Sequence, residues 1–385
     1  MANRAPIDLL VLQPTPFCNL DCRYCYLPDR DSKARVPAEI VRAAVTKALR
    51  HNAGQPLPIV WHAGEPTAFP IPLYEELFAL IDKLCRPGDR VFHSFQTNAT
   101  LIDEAWCAFF NRHEVRVGVS IDGPKHLNDR NRTTRSGASS FAKSIAGMRK
   151  LRSAGIPFHV ITVLTRESLA MAEELFDFYV QYGIERVGFN VEEIEGVNTG
   201  STLDYGGVEG EFKAFFKTMI SLNELSGGKL SLREVDSGLA RIRHYGEKFD
   251  SDELRPLSIL GVDVKGDCYT FSPELMGVSA PAHGDFIIGN ILKDEIEDMT
   301  KSETFRRLYG EIERGIARCR AECEYFGVCG GGAPANKYFE TGRLDSSETM
   351  FCRLTRKAVI DVCLDYVDIM PELSGGREPA ASPPG

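Results

Sequence analysis

The chain has 385 residues, of which 43% are hydrophobic and 26% are charged, and its formal net charge is −9. This composition supports a buried core and excludes a chain that is disordered throughout. The negative charge argues against a general nucleic-acid binder and against a binder of anionic membranes. The sequence has neither an apolar run long enough for a membrane span nor an initial apolar run long enough for a secretory signal, so we expect a cytoplasmic protein.

Strands and helices alternate through the first 225 residues. Short runs rich in Val, Ile, Phe or Trp predict six strands, at Leu9–Gln13, Pro58–His62, Arg90–Gln96, Arg116–Ile121, Phe158–Leu164 and Arg186–Val191. Helical periodicity follows them near 37–51, 71–85, 102–112, 139–154, 167–182 and 208–225. Parallel strands need helical crossovers, so this order predicts an α/β fold, a partial (β/α)6 TIM-like barrel over 8–225. Chemistry in such barrels lies at the carboxyl ends of the strands.

The pattern changes beyond the barrel. The sequence predicts a connector at residues 226–255 and a second domain, which carries several cysteines, at residues 256–370. Within that domain the sequence predicts a β-hairpin with a Gly turn after about residue 256, helices at 301–315 and 350–369, and a cysteine- and glycine-rich loop at 319–335. Residues 371–385 are rich in Pro, Gly and Ser and predict a flexible tail.

Three of the eleven cysteines lie together near the start of the chain. Cys18, Cys22 and Cys25 have the spacing C-x3-C-x2-C and directly follow the first predicted strand. Such a cysteine-rich loop is typical of iron–sulfur ligands, and three thiolates leave one iron of a [4Fe–4S] cluster open to a small molecule. A zinc site with a distant fourth ligand, or buried thiols without a metal, are the alternatives.

This triplet, with Tyr24 before its last cysteine, resembles the motif of the radical S-adenosylmethionine (SAM) superfamily. Segments 63–66 (AGEP), 95–99 (FQTNA), 120–124 (SIDGP) and 128–132 (NDRNR) resemble further motifs of that superfamily in the same order. The resemblance implies that the open iron chelates SAM and that the reduced cluster cleaves it to a 5′-deoxyadenosyl radical. It implies cofactor contacts from Tyr24, Gly64, Glu65, Asn98, Ser120, Asp122 and Arg132.

A second group of cysteines lies near the end of the chain. Four thiolates, from Cys319, Cys323, Cys329 and Cys352, can fill every iron of another [4Fe–4S] cluster, and a four-cysteine zinc site is the alternative. The region resembles the SPASM extension of radical peptide-modifying enzymes, which carries two auxiliary clusters. Ala333 and Phe271 replace two cysteines of that pattern, and Cys268 is out of register. The resemblance therefore implies that the auxiliary cluster nearer the barrel is missing, which leaves roughly eight iron atoms per chain.

The residues around these motifs resemble those of the maturases of the GrrM/OscB type, which form three-residue cyclophanes in Gly-rich repeat precursor peptides. The resemblance implies an enzyme that links an aromatic ring to a side-chain Cβ of a ribosomal precursor peptide. It implies a flavodoxin- or ferredoxin-type electron donor and neither a nucleic-acid nor a membrane partner. Glu274 and Asp122 are candidate general bases by position, and a solvated or capping carboxylate is the alternative for each.

Other functions remain open from the sequence. Enzymes that resemble this chain also form thioethers, epimerise residues or mature anaerobic sulfatases. In the sulfatase-maturing enzymes an aspartate base stands where this chain has Ser272. A non-enzymatic iron–sulfur redox protein and a zinc-binding interaction protein are alternatives of a different class.

Overall fold

The computed structural model describes residues 5–245 and 251–369. The strands are β1 Leu9–Leu12, β2 Leu20–Cys22, β3 Leu57–Trp61, β4 Val91–Thr97, β5 Arg116–Ser120, β6 Arg132–Thr134, β7 Phe158–Leu164, β8 Arg186–Val191, β9 Ser231–Leu232, β10 Ile259–Val262, β11 Asp267–Thr270 and β12 Gly289–Asn290. The helices are α1 Ala38–Asn52, α2 Ile71–Leu84, α3 Glu104–Arg112, α4 Lys125–Asn131, α5 Phe141–Ser153, α6 Arg166–Leu169, α7 Ala172–Gln181, α8 Val208–Leu225, α9 Arg233–Arg243, α10 Ile296–Met299, α11 Glu303–Glu322, α12 Phe326–Cys329, α13 Pro334–Thr341, α14 Met350–Cys352 and α15 Val359–Ile369. A π-helical turn, Arg353–Ala358, joins the last two helices.

The six predicted strands are confirmed as β1, β3, β4, β5, β7 and β8. They lie side by side in chain order, and every neighbouring pair is parallel. Helices connect them, as parallel pairing requires, so the predicted α/β fold class is confirmed. Within the described residues the two outermost strands of the sheet, β12 and β9, do not pair with each other.

The segment predicted as a connector, 226–255, contains a short strand and a helix that the sequence analysis did not resolve. The two-residue strand β9 pairs in parallel with β8, and α9 follows it directly. A strand of two residues has no periodicity to detect, so only its neighbour in the sheet reveals it. Residues 246–250 of the predicted connector, and the tail predicted at 371–385, lie outside the described residues.

The extension begins inside the sheet of the barrel. β10 pairs in parallel with β1, with Leu260 beside Leu10, and β11 returns antiparallel to β10. This confirms the predicted hairpin, whose turn contains Gly266 with a positive φ of 84°. The sheet therefore continues past the predicted boundaries at 225/226 and 255/256. These domain boundaries remain a prediction.

The predicted cysteine-rich loop at 319–335 is more helical than expected. α11 reaches Glu322, and Cys319 therefore lies on its last turns. Phe305, Leu308 and Ile312 form a buried stripe along α11, and the Ser302 hydroxyl accepts a hydrogen bond from Phe305 N at 3.1 Å at its start. α13 follows with a proline in its first turn.

Aromatic side chains hold the first strands against their helices. Trp61 at the end of β3 packs edge-on against Tyr74 with ring centroids 5.2 Å apart and stacks on Phe78 at 5.8 Å. Phe95 on β4 lies 4.9 Å from the Tyr74 ring. This cluster fixes the strand ends from which the motif loops leave. In the described part of the chain, none of the helices combines the length and apolarity of a membrane span.

We expect Leu260→Ala to lower the free energy of unfolding by about 3 kcal/mol, because Leu260 is fully buried where the extension joins the barrel. Chemical denaturation of the cluster-loaded protein measures the change. Lys265→Ala, at an exposed position of the adjacent turn, is the matched control and should shift stability by less than about 0.5 kcal/mol. Equal effects of the two changes would show that β10 is not part of the core.

Candidate active site

The three N-terminal cysteines share one loop after β1. Cys22 ends β2, which pairs antiparallel with β6 and places Cys22 opposite Arg132. Cys25 N donates to Cys22 O at 3.3 Å, which closes a tight turn between two of the thiols. The pKa of Cys22 is raised to about 11, with burial as the largest cause, Arg132 opposing the shift and the neighbouring Cys25 thiolate adding to it. All three thiols are free and half-buried.

The AGEP loop after β3 is fixed by its glutamate. The Glu65 carboxylate is buried and accepts hydrogen bonds from Thr67 N at 2.9 Å, Thr97 Oγ1 at 2.6 Å and Asn98 N at 2.8 Å. These bonds tie the loop after β3 to the loop after β4. The carboxylate thus holds the loop, and its Oε2, which accepts the hydrogen bond from Asn98 N, keeps acceptor capacity.

The same loop packs tightly against the segment that leads to Cys18. Gly64 has a φ of +143°, and a Cβ added there would lie 2.0 Å from Thr15 O. Only glycine fits this approach. Ala63, which replaces the usual first glycine of the motif, also adopts a positive φ, at 63°.

Asn98 and Ser120 lie at the ends of the next strands. Asn98 Nδ2 donates to Asn19 Oδ1 at 2.9 Å and lies 3.9 Å from Cys18 Sγ. The Ser120 hydroxyl accepts from Gln96 Nε2 at 2.8 Å. The structure thus brings Asn98 against the cysteine loop, with Ser120 on the neighbouring strand.

Asp122 is the centre of a buried ion pair. Its Oδ2 accepts the Tyr24 hydroxyl at 2.6 Å, and its Oδ1 lies 2.9 Å from Arg132 Nε and accepts Val163 N at 3.1 Å. Both oxygens are therefore committed to partners, which argues against Asp122 as the general base. The arrangement instead positions Tyr24 and Arg132 beside the cysteine loop.

Glu193, Glu195 and Glu274 are three of the six acidic residues that line a cavity of about 590 Å³ between β8, α9, the segment after β11, and α13. Asn336 Nδ2 donates to Glu193 Oε2 at 2.6 Å and to Glu195 Oε1 at 2.9 Å, and the Ser272 hydroxyl donates to Glu274. Burial is the main cause that raises the pKa of each of the three carboxyl groups. The cavity therefore contains carboxyl groups whose pKa is raised above the usual range.

Tyr26 places this cavity beside the cysteine loop. Val197 N donates to Tyr26 O at 3.0 Å, and a Cβ on Gly196 would lie 2.1 Å from the same oxygen. The Tyr26 hydroxyl lies 3.4 Å from His62 Nε2. Burial raises the pKa of Tyr26, and the nearby charges of Glu274 and Cys25 raise it further. One residue thus contacts the loop that carries Glu193 and Glu195 and directly follows a cluster cysteine.

The C-terminal cysteines also gather. Burial raises the pKa of Cys319, the Lys337 ammonium opposes the shift, and the Cys329 and Cys323 thiolates add to it. Burial is also the main cause that raises the pKa of Cys352, and the Cys329 thiolate again adds to the shift. The four free thiols thus lie near enough to one another for their charges to interact.

Within the described residues no group of three or more His, Cys, Asp or Glu side chains is arranged to hold a single metal ion. A [4Fe–4S] cluster binds each thiolate at a different iron atom, so its ligands stand further apart than those of one ion.

Phe271 is the residue for which the resemblance to the SPASM pattern implies a replaced cysteine. Its ring stacks on Phe305 at 6.0 Å and on Tyr309 at 6.2 Å, and the side chain is fully buried. Its φ is +74°, which is rare for a bulky residue. Aromatic packing therefore fills this region.

The sequence profile of the radical SAM superfamily matches residues 12–194. An uncharacterized protein of Synechocystis sp. PCC 6803 is 37% identical to this chain, over 96% of the chain and 94% of that protein. The chain belongs to the radical SAM superfamily. It is therefore an enzyme of a family that uses a [4Fe–4S] cluster and SAM.

Further similarity covers nearly the whole chain. A serine-type anaerobic sulfatase-maturating enzyme of Bacteroides thetaiotaomicron is 24% identical over 97% of this chain and 94% of its own length. The solved structure of anSMEcpe with bound AdoMet and Kp18Cys peptide matches with a TM-score of 0.78 and 20% identity, over 95% of this chain and 99% of that one. SuiB of Streptococcus suis bound to precursor peptide SuiA matches with a TM-score of 0.65 and 17% identity, over 89% and 75%. The two solved structures confirm the fold.

The N-terminal site of this radical SAM enzyme fits the cofactors of its family. Three thiols share one loop, the glycine-tight AGEP loop packs beside them, and the buried Asp122–Arg132 pair borders Cys22. The seven proposed SAM contacts all lie on loops around these cysteines or at the adjoining strand ends, and their individual contacts with SAM remain predictions.

The sequence analysis assigned no role to three residues that line the cavity, or to Tyr26, which contacts the loop that carries two of them. Glu193 and Glu195 follow β8 directly, which is a signal that could have been used, because chemistry in such sheets lies at strand ends. Asn336 and Tyr26 carry no such signal, since only tertiary contacts place them in the site.

We expect anaerobically prepared protein to contain roughly eight iron atoms and no zinc. Replacement of Cys18, Cys22 and Cys25 by alanine should leave roughly four iron atoms, and so should replacement of the four C-terminal cysteines. Elemental analysis makes the measurement. Cys85→Ser, at a cysteine outside both groups, is the control and should retain the full iron content. Zinc in place of iron in either group would overturn that assignment.

Proposed function

We propose that this radical SAM enzyme modifies a ribosomal precursor peptide by linking an aromatic ring to a side-chain Cβ, which forms a three-residue cyclophane. The observation that carries the proposal is the cavity whose carboxylates border the cysteine loop through Tyr26. When bound, the cluster and SAM supply a 5′-deoxyadenosyl radical that takes a hydrogen atom from the peptide. Bond formation to the ring then requires the loss of one proton and one electron.

The cavity carboxylates are suited to take that proton. Glu193 and Glu195 share the Asn336 amide as a donor, and burial raises the pKa of both above the usual range. Carboxyl groups are most effective as general bases when their pKa lies near the working pH. Glu274, held by Ser272, is the third candidate and the one of the two sequence candidates that lines the cavity.

The remaining parts of the proposal concern partners and the second cluster. The similarity to SuiB bound to its precursor peptide and to anSMEcpe bound to a peptide supports a peptide substrate. We propose a Gly-rich precursor with aromatic residues, a flavodoxin- or ferredoxin-type electron donor and a cytoplasmic location. The four C-terminal thiols support a SPASM-like auxiliary [4Fe–4S] cluster.

Oxidation of a serine or cysteine in a sulfatase is the second candidate. The relative from Bacteroides thetaiotaomicron, similar over nearly the whole chain, favours it. That reaction needs no aromatic ring, but it also requires a base near the oxidised carbon. Ser272, in place of the aspartate base of those enzymes, weighs against it, and Glu274 two residues later could substitute.

The product decides between the two reactions. We expect the reconstituted enzyme, with SAM, a reductant and the precursor peptide encoded beside its gene, to remove two hydrogen atoms from that peptide. A crosslink suppresses backbone fragmentation between the two linked residues in tandem mass spectrometry, whereas formylglycine reacts with a hydrazide. A sulfatase-derived peptide is tested in parallel. Hydrazide labelling of either peptide, without a crosslink, would favour the second candidate.

We expect Glu193→Gln and Glu274→Gln to lower the amount of modified peptide per 5′-deoxyadenosine by about 10²–10⁴-fold, because the proton acceptor is lost while SAM cleavage continues. Chromatography of both products in one reaction gives this ratio. Glu313→Gln, at an exposed position of α11, is the control and should leave it unchanged. An unchanged ratio in all three variants would exclude these carboxylates as the base.

A further inference from the structure

Lys337 is a buried lysine whose ammonium group faces a cysteine. It lies in the first turns of α13 with only 3% of its surface exposed, and Nζ donates a hydrogen bond to Cys319 Sγ at 3.3 Å. A buried ammonium group is costly unless a partner compensates for the lost water. Among the described residues no carboxylate lies within ion-pair distance of Nζ, so the thiol is the partner that the structure provides.

The surroundings of Lys337 are built to admit its side chain. A Cβ added to Gly315 on α11 would lie 3.1 Å from Lys337 Nζ, and one added to Gly332 would lie 3.4 Å from Cε. Gly332 also has a positive φ of 81°. Gly315 thus leaves room for the ammonium group, while a Cβ on Gly332 would make an ordinary van der Waals contact with the lysine side chain.

The preceding residue of α13 faces the substrate cavity. Asn336 is buried and donates to both Glu193 and Glu195. Adjacent residues of one helix therefore contact the carboxylates that would receive the proton and a thiol that would bind the auxiliary cluster. In the proposed reaction the substrate ring loses one proton and one electron. Residues of α13 contact both the carboxylates that would take the proton and a thiol of the cluster that would take the electron.

We propose that Lys337 raises the reduction potential of the auxiliary cluster through its charge and its hydrogen bond to Cys319, so that this cluster accepts the substrate electron. Hydrogen bonds to cluster sulfurs and nearby positive charge stabilise the reduced, more negative state. The inference rests on the proposed function, because that function supplies the substrate radical from which the auxiliary cluster takes its electron. Lys337 acts through a cluster ligand and is therefore a positioning residue.

The proposed step is balanced in atoms and electrons. The peptide Cβ–H bond breaks, and its hydrogen atom goes to the 5′-deoxyadenosyl radical, which would become 5′-deoxyadenosine. The new C–C bond forms, and the ring C–H bond breaks. Its proton goes to a cavity carboxylate, and one electron reduces the oxidised auxiliary cluster.

The test is a redox titration, followed by electron paramagnetic resonance, of protein in which Cys18, Cys22 and Cys25 are alanine, so that only the auxiliary cluster is observed. Lys337→Met should make one-electron reduction at least tenfold less favourable, a shift of about 59 mV to lower potential. Lys337→Arg keeps the charge and should restore most of the potential. Lys301→Met, at an exposed lysine on another segment, should cause no shift.

An unchanged potential in Lys337→Met would overturn the inference. If that variant loses its cluster, Lys337→Gln and Lys337→Arg are compared, and equal potentials in this pair would overturn it as well. The absence of any cluster from the starting triple variant would also overturn it. The titration uses no peptide, so a failure of the proposed peptide reaction is detected separately, by the product analysis.

Discussion

The parallel pairing of β10 with β1 is the interaction on which the rest of the structure depends. β1 leads into the cysteine loop, and β10 is the first strand of the hairpin that precedes Glu274. Because the two strands are neighbours in one sheet, the extension is fixed relative to the barrel. The cavity is lined from both sides of this junction, by Glu193 from the barrel and by Glu274 and Asn336 from the extension. Without this pairing the two halves of the site would have no fixed relation.

The site concentrates buried charge, which costs free energy. Asp122 is compensated completely, by Arg132, Tyr24 and a backbone amide, and it serves the architecture around the cysteine loop. Glu193 and Glu195 are compensated only in part, because one amide serves two carboxylates. Burial is the main cause that raises the pKa of Glu193 and Glu195. Under the proposed function these two carboxylates are candidates to take the proton, while Asp122 stabilises the structure around the cysteine loop.

The sequence predicted those features whose signals are local. Six apolar runs located the parallel strands, and cysteine spacing located both groups of thiols, because each pattern lies within a few residues. Features that depend on distant partners could not be predicted. β9 has two residues and is defined only by β8. The three partners of Asp122 come from separate segments of the chain, so the sequence could name this residue as a candidate base but could not reveal its ion pair with Arg132.

The π-helical turn Arg353–Ala358 directly follows Cys352. A π-helical turn is equivalent to one extra residue in an α-helix, which rotates everything beyond it by about a third of a turn. Beyond the turn, Cys363 packs where α9 has Gly238, whose added Cβ would lie only 2.6 Å from the Cys363 sulfur. The π-helical turn thus lets the residues before it and the residues after it face different directions within one helical stretch. The part before it can orient a thiol toward the other cysteines, while the part after it keeps its own packing face against the barrel.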